Sequence, residues 1–244
     1  MQIDAAAILL RIRPHGEHGA VVRALTREHG VIAGYVRGGR SRALRPVLQP
    51  ANVVLGSWRA RTQEQLAALT VELVESRAGL FAEPLPAAAL DWLTALTAAT
   101  LPEGLPYPRL HDGLDGAIGA VAAAPSARGW ATAWVRFELL LLAELGFGLD
   151  LARCVATGAE EELHFVSPRS GGAVSRAAAT GYETRLMPLP RFLNEGGEAD
   201  WPDILAGAAI TGRFLDRDLL AHPQGQDVLA ARERLVERLK RAVA

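Results

Sequence analysis

The chain has 244 residues, of which 50% are hydrophobic and 22% are charged, and this composition excludes a disordered protein. A single cysteine, Cys154, excludes an internal disulfide and is typical of a reducing compartment. The net charge of −1 conceals a segregation of charge along the chain. Residues 1–62 contain ten Arg and three acids, a net of +7, whereas residues 63–244 contain sixteen basic and twenty-four acidic residues, a net of −8.

The first seventy-odd residues predict β-structure, because short apolar runs alternate with polar residues and are separated by turn residues. In the first strand, Ile8, Leu10 and Ile12 are predicted to share one face. Five short strands in a segment of this length are typical of a small closed barrel. The predicted strands are residues 7–13, 20–26, 31–36, 52–58 and 66–73.

A loop at residues 36–45 joins the third and fourth predicted strands. It contains the arginines Arg37, Arg40, Arg42 and Arg45. Gly38 and Gly39 would let the loop backbone approach a nucleic-acid strand and would offer unhindered N–H groups. Because charge is screened over roughly 8 Å at physiological salt, a polyanion would meet this local charge and not the whole-chain charge. We therefore expect phosphate contacts here, the alternative being a solvated surface loop.

Other residues of the barrel could extend this surface. Arg11, Arg13 and Arg23 are predicted on the barrel exterior, where they face either a nucleic acid or bulk water. Trp58 and Tyr35 are the aromatics of this segment and could stack on bases, although Trp58 is better explained as barrel core.

After about residue 74 the pattern becomes helical, with alanine-rich segments of helical length. Trp134, Phe137, Leu141 and Leu145 recur at the spacing of one buried helical stripe. Residues 150–187 are rich in Gly, Ser and Ala and are predicted to be irregular. The predicted helices are residues 87–100, 110–124, 126–145 and two segments after residue 190, the last at 228–243.

Patterns for catalysis, cofactor binding and membrane insertion are absent from the sequence. There is no phosphate-binding loop, no dinucleotide-binding motif and no Gly-x-Ser-x-Gly motif. His15, His18 and His29 are close in sequence but lack a fourth metal ligand. Residues 1–12 lack a signal-peptide pattern, and no apolar run has 18 residues. We therefore expect a cytoplasmic protein that is not an enzyme and needs no metal or cofactor.

Several segments together resemble the RecO family of DNA repair proteins, nearly from end to end. The N-terminal part resembles the family's oligonucleotide-binding (OB) fold at residues 7–14 with Glu17, 26–30, 36–42 and 48–50 before Trp58. The remaining part resembles the family's central helix, the start of its zinc-finger region and its closing helices at residues 136–140, 145–148, 153–154 and 211–215.

The resemblance implies an α+β, multi-domain fold in which a five-stranded OB-fold barrel precedes an α-helical domain. The implied domains are a DNA-binding barrel at 1–76, a helical domain at 77–149, a degenerate zinc-finger-like region at 150–187 and a C-terminal helical segment at 188–244. It further implies binding to single- and double-stranded DNA, annealing of complementary strands, and association with the nucleoid. Implied partners are RecR, the single-stranded DNA-binding protein (SSB), and, indirectly, RecF and RecA, which is loaded onto SSB-coated DNA.

The chain departs from this family at the zinc-finger region. Zinc-binding relatives carry two Cys-x-x-Cys pairs, which here fall on Cys154 and Thr157 and on Ser175 and Ala178. One thiolate of four cannot hold tetrahedral structural zinc. We therefore expect no zinc, with Cys154 as a small buried residue.

The resemblance also suggests a role for Arg136, on the predicted central helix. SSB ends in an acidic, hydrophobic tail that the family docks on its helical region, and an arginine beside apolar residues could hold the terminal carboxylate of such a tail. The alternative is an intramolecular pair, for instance with Glu138.

Two other functions compete with a DNA-binding recombination mediator. A protein-interaction adaptor would use the barrel to bind another protein, but it would not require the net charge of +7 in residues 1–62. A DNA-acting enzyme would need a carboxylate or histidine cluster near the basic surface, where only Asp4, Glu17 and Glu28 are available as acids.

Overall fold

A computed structural model describes residues 1–62, 65–124 and 126–243. It contains two compact units. The first comprises residues 1–123 together with 230–242, and the second comprises residues 124–229 with residue 243. The domain limits expected at residues 76, 149 and 187 stay predictions.

The first unit begins with a closed five-stranded barrel, which confirms the predicted fold class. Its strand order is β1-β2-β3-β5-β4, with β1 closing on β4. All described pairings are antiparallel except β3 with β5, which is parallel. The strands are β1 (Gln2–His15), β2 (Gly19–Thr26), β3 (Gly30–Val36), β4 (Val53–Arg59) and β5 (Ala67–Glu75).

A β-bulge in β1 changes which side chains enter the barrel. The register to β2 shifts between Leu9 and Arg11, so Ala7, Leu9 and then Ile12 pack in the barrel core. The prediction that Ile8, Leu10 and Ile12 share one face is therefore wrong, because the extra residue of a bulge interrupts the two-residue alternation. Ile8 and Leu10 are nevertheless buried, and the helix at Pro84–Thr100 packs on this strand.

The indole of Trp58 fills the barrel interior and is completely buried. Two glycines make room for it. A Cβ added at Gly56 would lie 2.3 Å from Cη2 of Trp58, and one at Gly34 would lie 2.9 Å from its Nε1 and 2.6 Å from Cβ of Leu69. Trp58 Nε1 has no hydrogen-bond partner among the described residues, so the indole contributes through packing.

Helices α1 (Pro84–Thr100) and α2 (Pro108–Ala123) follow the barrel in the first unit, with α1 packed on β1. Ion pairs tie the barrel to this helical part. Arg27 pairs with Asp112 at 3.0 Å, and the buried Arg77 pairs with Asp115 at 2.8 Å and Glu75 at 3.2 Å.

In the second unit, α3 (Ala127–Glu144) buries Trp134, Phe137 and Leu141 of the predicted stripe, whereas Leu145 follows the helix and is half-buried. The prediction that residues 150–187 are irregular is wrong. This part of the chain contributes to a three-stranded antiparallel sheet of order β7-β6-β8. Its strands are too short to show an alternating pattern. The elements are β6 (Leu163–Val166), β7 (Ala173–Ser175), α4 (Arg176–Ala179), β8 (Met187–Pro188) and α5 (Trp201–Phe214).

The closing helix α6 (Pro223–Val243) contributes its residues 230–242 to the first unit. There Leu235 and Leu239 are buried, and the guanidinium of Arg232 lies 6.0 Å from the ring centroid of Trp92. Among the helices of residues 1–62, 65–124 and 126–243, none combines the length and apolar character that a membrane span needs.

The tight contacts around Trp58 predict that Gly56→Ala destabilises the protein. Because the new methyl group overlaps the indole, the free energy of unfolding should fall by roughly 1–3 kcal/mol. The matched control is Gly116→Ala in α2, where an added Cβ meets nothing within 4 Å. The control should gain roughly 0.5–1 kcal/mol from helix propensity. Denaturant unfolding at constant m-value tests both, and equal stability of the two variants would contradict the packing described here.

Candidate nucleic-acid interface

The loop between β3 and β4 is compact, and its inner side is anchored on the barrel. Leu44, Val47 and Leu48 pack against the barrel core. Successive turns hold the backbone, including the bonds from Arg45 N–H to Ser41 O at 3.0 Å and from Leu48 N–H to Leu44 O at 2.8 Å. With its apolar residues turned inward, the loop presents its arginines to solvent.

Asn52 fixes this loop to the barrel, a role that the sequence did not indicate. Its side chain is fully buried, and Nδ2 donates to Pro46 O at 2.9 Å and to Val47 O at 3.0 Å. Its Oδ1 accepts the N–H of Arg77 at 2.8 Å. One amide therefore bonds three backbone groups from two separate segments, of which the N–H of Arg77 is buried.

Arg40 connects the loop to the turn between β1 and β2. Its Nη1 donates to Glu17 O at 3.0 Å and Gly16 O at 3.5 Å, and its backbone N–H donates to His18 O at 3.2 Å. The loop and the turn therefore lie side by side at one end of the barrel. Part of the hydrogen-bonding capacity of Arg40 is used to hold them together.

The two glycines of the loop have different roles. Gly38 has a φ of 68° and open space where a Cβ would lie, so it serves the turn that glycine favours. Gly39 is buried, and an added Cβ would lie 2.8 Å from Cβ of Ala20. The N–H of Gly39 donates to Val36 O at 3.2 Å, so it is not free for a ligand, contrary to expectation.

Arg37, Arg42 and Arg45 are exposed, and no carboxylate lies within ion-pair distance of them in the part of the chain that the structure describes. Other arginines of the barrel differ in this respect. Arg23 lies 3.6 Å from Glu103 and donates to Leu101 O, so its charge is partly compensated. The loop therefore keeps its positive charge available for an anion.

Arg11 and Arg13 extend the positive surface along β1. Both are exposed on the outer face, and β-sheet register places Arg11 opposite Arg23 and Arg13 opposite Val21. Partial burial, and then the charges of Arg13 and Arg23, lower the pKa of Arg11. Burial is the larger cause of this shift, and the charges of Arg13 and Arg23 add to it.

The two aromatic candidates are separated by the barrel wall. Trp58 is inside and cannot stack on a base, as expected from its core role. Tyr35 is on the outer face of β3, half-buried, with His15 edge-on at 5.8 Å between ring centroids. Arg59 and Arg61, which sequence reasoning did not single out, are exposed near Tyr35 and line the same groove of about 500 Å³.

In the second unit, Arg136 lies at the edge of an apolar groove of about 430 Å³. Leu139, Leu140 and Leu193 line this groove. The guanidinium of Arg136 lies 5.7 Å from the Phe192 ring centroid, and its Nη2 donates to Gly197 O at 3.1 Å. These partners are neutral, so Arg136 retains an uncompensated charge at the groove.

The expected alternative, a pair between Arg136 and Glu138, is not formed. Glu138 is fully buried, accepts Trp134 Nε1–H at 2.7 Å, and is bonded by the hydroxyl of Thr211. This carboxylate joins α3 to α5, a structural role that sequence reasoning missed because the partners are distant along the chain.

Comparison with known proteins agrees with these features. Residues 1–77 match the family described as Recombination protein O N terminal, and residues 85–226 match Recombination protein O C terminal. The chain belongs to the RecO family. The DNA repair protein RecO of Rhodospirillum centenum is 46% identical over 239 residues, covering 97% of this chain and 94% of that protein. RecO of Phenylobacterium zucineum is 42% identical over 244 residues, covering 99% of each.

The fold of the second unit brings Cys154, Thr157, Ser175 and Ala178 together. The Sγ of Cys154 accepts the N–H of Ser175 at 3.3 Å, Ala178 packs in the same apolar cluster, and Thr157 hydrogen-bonds to the thiol. One sulfur, two hydroxyls and a methyl group do not fit zinc. Among the described residues, no group of three or more His, Cys, Asp or Glu could hold a metal.

The Cys154 thiol is held by hydrogen bonds. Burial raises the pKa of the thiol, but the bonds from Ser175, Thr157 and nearby N–H groups outweigh this effect and lower the pKa to about 6.

The position of Asn52 predicts that Asn52→Leu releases the arginine-bearing loop. The change removes these three hydrogen bonds, including the one to the buried N–H of Arg77, so the free energy of unfolding should fall by at least roughly 1–3 kcal/mol. Amide hydrogen exchange should accelerate in residues 41–48. The control is Gln49→Ala, which removes only a surface bond to Arg45 O and should change stability by less than roughly 0.5 kcal/mol. Unchanged exchange in folded Asn52→Leu would show that the loop does not depend on Asn52.

Proposed function

We propose that this RecO family member is a non-catalytic recombination mediator that binds single- and double-stranded DNA and anneals complementary strands. With RecR, and with RecF as a possible further partner, it would help load RecA onto SSB-coated DNA on the cytoplasmic nucleoid. The observation that carries the proposal is the anchored loop whose exposed Arg37, Arg42 and Arg45 have no acidic partner among the described residues. Membership of a DNA repair family supports the choice of DNA as the polyanion.

The arrangement of these arginines suits sequence-independent binding. Phosphate contacts position a protein on DNA without reading its bases, so complementary strands of any sequence could be held. Bringing two strands together requires neutralising repulsion between their phosphates, and the positive loop and β1 surface would supply that charge. The bases remain free to pair.

The groove beside Arg136 supports a second part of the proposal, the docking of the SSB tail. Such a tail combines apolar side chains with a terminal carboxylate. The apolar residues would occupy the space among Leu139, Leu140 and Leu193, and Arg136 would hold the carboxylate. The contacts of Arg136 with the Phe192 ring and Gly197 O orient the guanidinium in advance.

The DNA surface is tested by the triple variant Arg37→Glu, Arg42→Glu, Arg45→Glu. Arg40 is retained because it holds the neighbouring turn. If each arginine neutralises one phosphate, single-strand affinity should fall, and the slope of log affinity against log salt should flatten by about 0.7 per lost contact, or roughly 2 for three contacts. Fluorescence anisotropy over a salt series measures this, and annealing of SSB-coated complementary oligonucleotides should slow in parallel.

The matched control for this experiment is Arg153→Glu, Arg169→Glu, Arg185→Glu, which makes the same charge change at exposed positions of the second unit. It should leave affinity and salt slope close to the wild-type values. If both triple variants lose affinity equally, the effect reflects overall charge and the loop is not the DNA surface.

The SSB site is tested by Arg136→Glu. Loss of one charge-assisted hydrogen bond typically costs about 1.5–3 kcal/mol, so affinity for an SSB C-terminal peptide should fall roughly ten- to a hundredfold. Binding to bare DNA should stay nearly intact, because Arg136 belongs to the second unit. Arg185→Glu is the charge control. Normal peptide binding by an Arg136→Glu protein with a native circular dichroism spectrum would exclude Arg136 as the carboxylate ligand.

A further inference from the structure

Tyr35 is held against the outer wall of the barrel by contacts that set the plane of its ring. A Cβ added at Gly19 would lie 2.3 Å from Cε2 and from the hydroxyl oxygen of Tyr35, so the ring rests directly on this glycine. The ring of His15 approaches edge-on, with an interplanar angle of 79°. Gly19 thus allows a large ring to lie close to the strand, where a side chain would displace it.

β-sheet register places Tyr35 in a row of residues that crosses the barrel wall. Arg13 pairs with Val21, Val21 with Tyr35, Tyr35 with Ala68, and Ala68 with Arg59. Adjacent strands are roughly 4.8 Å apart, so each arginine backbone lies two strands, or about 10 Å, from Tyr35. The residues between them, Val21 and Ala68, have side chains smaller than the aromatic ring.

The space beside Tyr35 is a groove and not a flat surface. Arg59, Arg61, Leu66 and Ala68 line it together with Tyr35, and its volume is about 500 Å³. Hydrogen bonds from Ser57 and Gln2 lower the pKa of Asp4, and the charge of Arg59 makes a smaller contribution in the same direction. The lining of the groove therefore combines one aromatic ring, apolar side chains and two cationic side chains, together with Gln65.

We propose that an unpaired nucleobase stacks on Tyr35, with the flanking phosphates bound by Arg59 and Arg61 on one side and by Arg13 on the other. This inference rests on the proposed DNA-binding function and adds a specific base-binding position to it. A base in a duplex is already stacked between its neighbours, whereas an unpaired base can occupy the groove. Tyr35 consequently makes the barrel prefer single strands, while the arginine-bearing loop binds the phosphates of either form.

The test compares binding of a single-stranded oligonucleotide and a duplex of equal length to wild-type protein, Tyr35→Leu and Tyr35→Phe. Tyr35→Leu keeps an apolar group over Gly19 but removes the aromatic face. It should weaken single-strand binding roughly five- to a hundredfold and change duplex binding less than about twofold. Tyr35→Phe should behave like wild type. The salt slope should be unchanged in both, because neither alters a charge.

Photo-crosslinking of wild-type protein to an oligonucleotide containing 5-iododeoxyuridine provides a test that does not depend on variant folding. Mass spectrometry should locate the crosslink at Tyr35. A crosslink elsewhere, or an equal loss of single-strand and duplex binding in folded Tyr35→Leu, would overturn the base-stacking site while leaving the DNA-binding proposal intact. Wild-type protein that binds neither form of DNA would overturn both.

Discussion

The burial of Trp58 is the constraint on which the barrel and its outer surface depend. The indole lies inside the barrel, between Gly34 and Gly56. Because side chains alternate along a strand, the residue after Gly34 on β3 and the residue after Trp58 on β4 must point outward. Those residues are Tyr35 and Arg59. A register slip of one residue would place a guanidinium and a phenol in the barrel core and would expose the indole. The packing of one apolar side chain therefore fixes the polar surface on the other side of the wall.

Arginines of the first unit divide into two groups by their electrostatic environment. Arg23, Arg27 and Arg77 lie near Glu103, Asp112 and Asp115 respectively, which belong to the helical part of the same unit. These arginines hold the barrel and helices together. The arginines of the loop and of the outer face of β1 have no such partners among the described residues, so their positive charge is not neutralised there. A bound polyanion would neutralise it, which is the physical basis of the proposal that they bind DNA.

Sequence patterns predicted all five barrel strands and the long helices because these elements have a local period. They also identified the exposed loop arginines, because charge segregation is visible in composition. The β1 bulge, the buried Asn52 and the Glu138–Thr211 bond were not predictable in this way. Each depends on partners distant in sequence: Asn52 on the backbone of Arg77, and Glu138 on a helix 73 residues further along. A single sequence shows which residues are polar, but not which polar residues are satisfied inside the fold.

The short, loop-rich segment around Cys154 is held together by hydrogen bonds and apolar contacts among its own residues. In a metal site, four donors would fix four backbone positions through one ion. Here the thiol of Cys154 receives hydrogen bonds from Ser175 and Thr157, while Val174, Ala178 and Leu186 surround it with apolar contacts. Antiparallel pairing of β6 with β7 and β8 supplies further backbone bonds. Because each replacement is individually weak, the arrangement depends on several of them acting together. The low pKa of Cys154 follows from this geometry, since N–H and hydroxyl donors aimed at a sulfur stabilise its thiolate form.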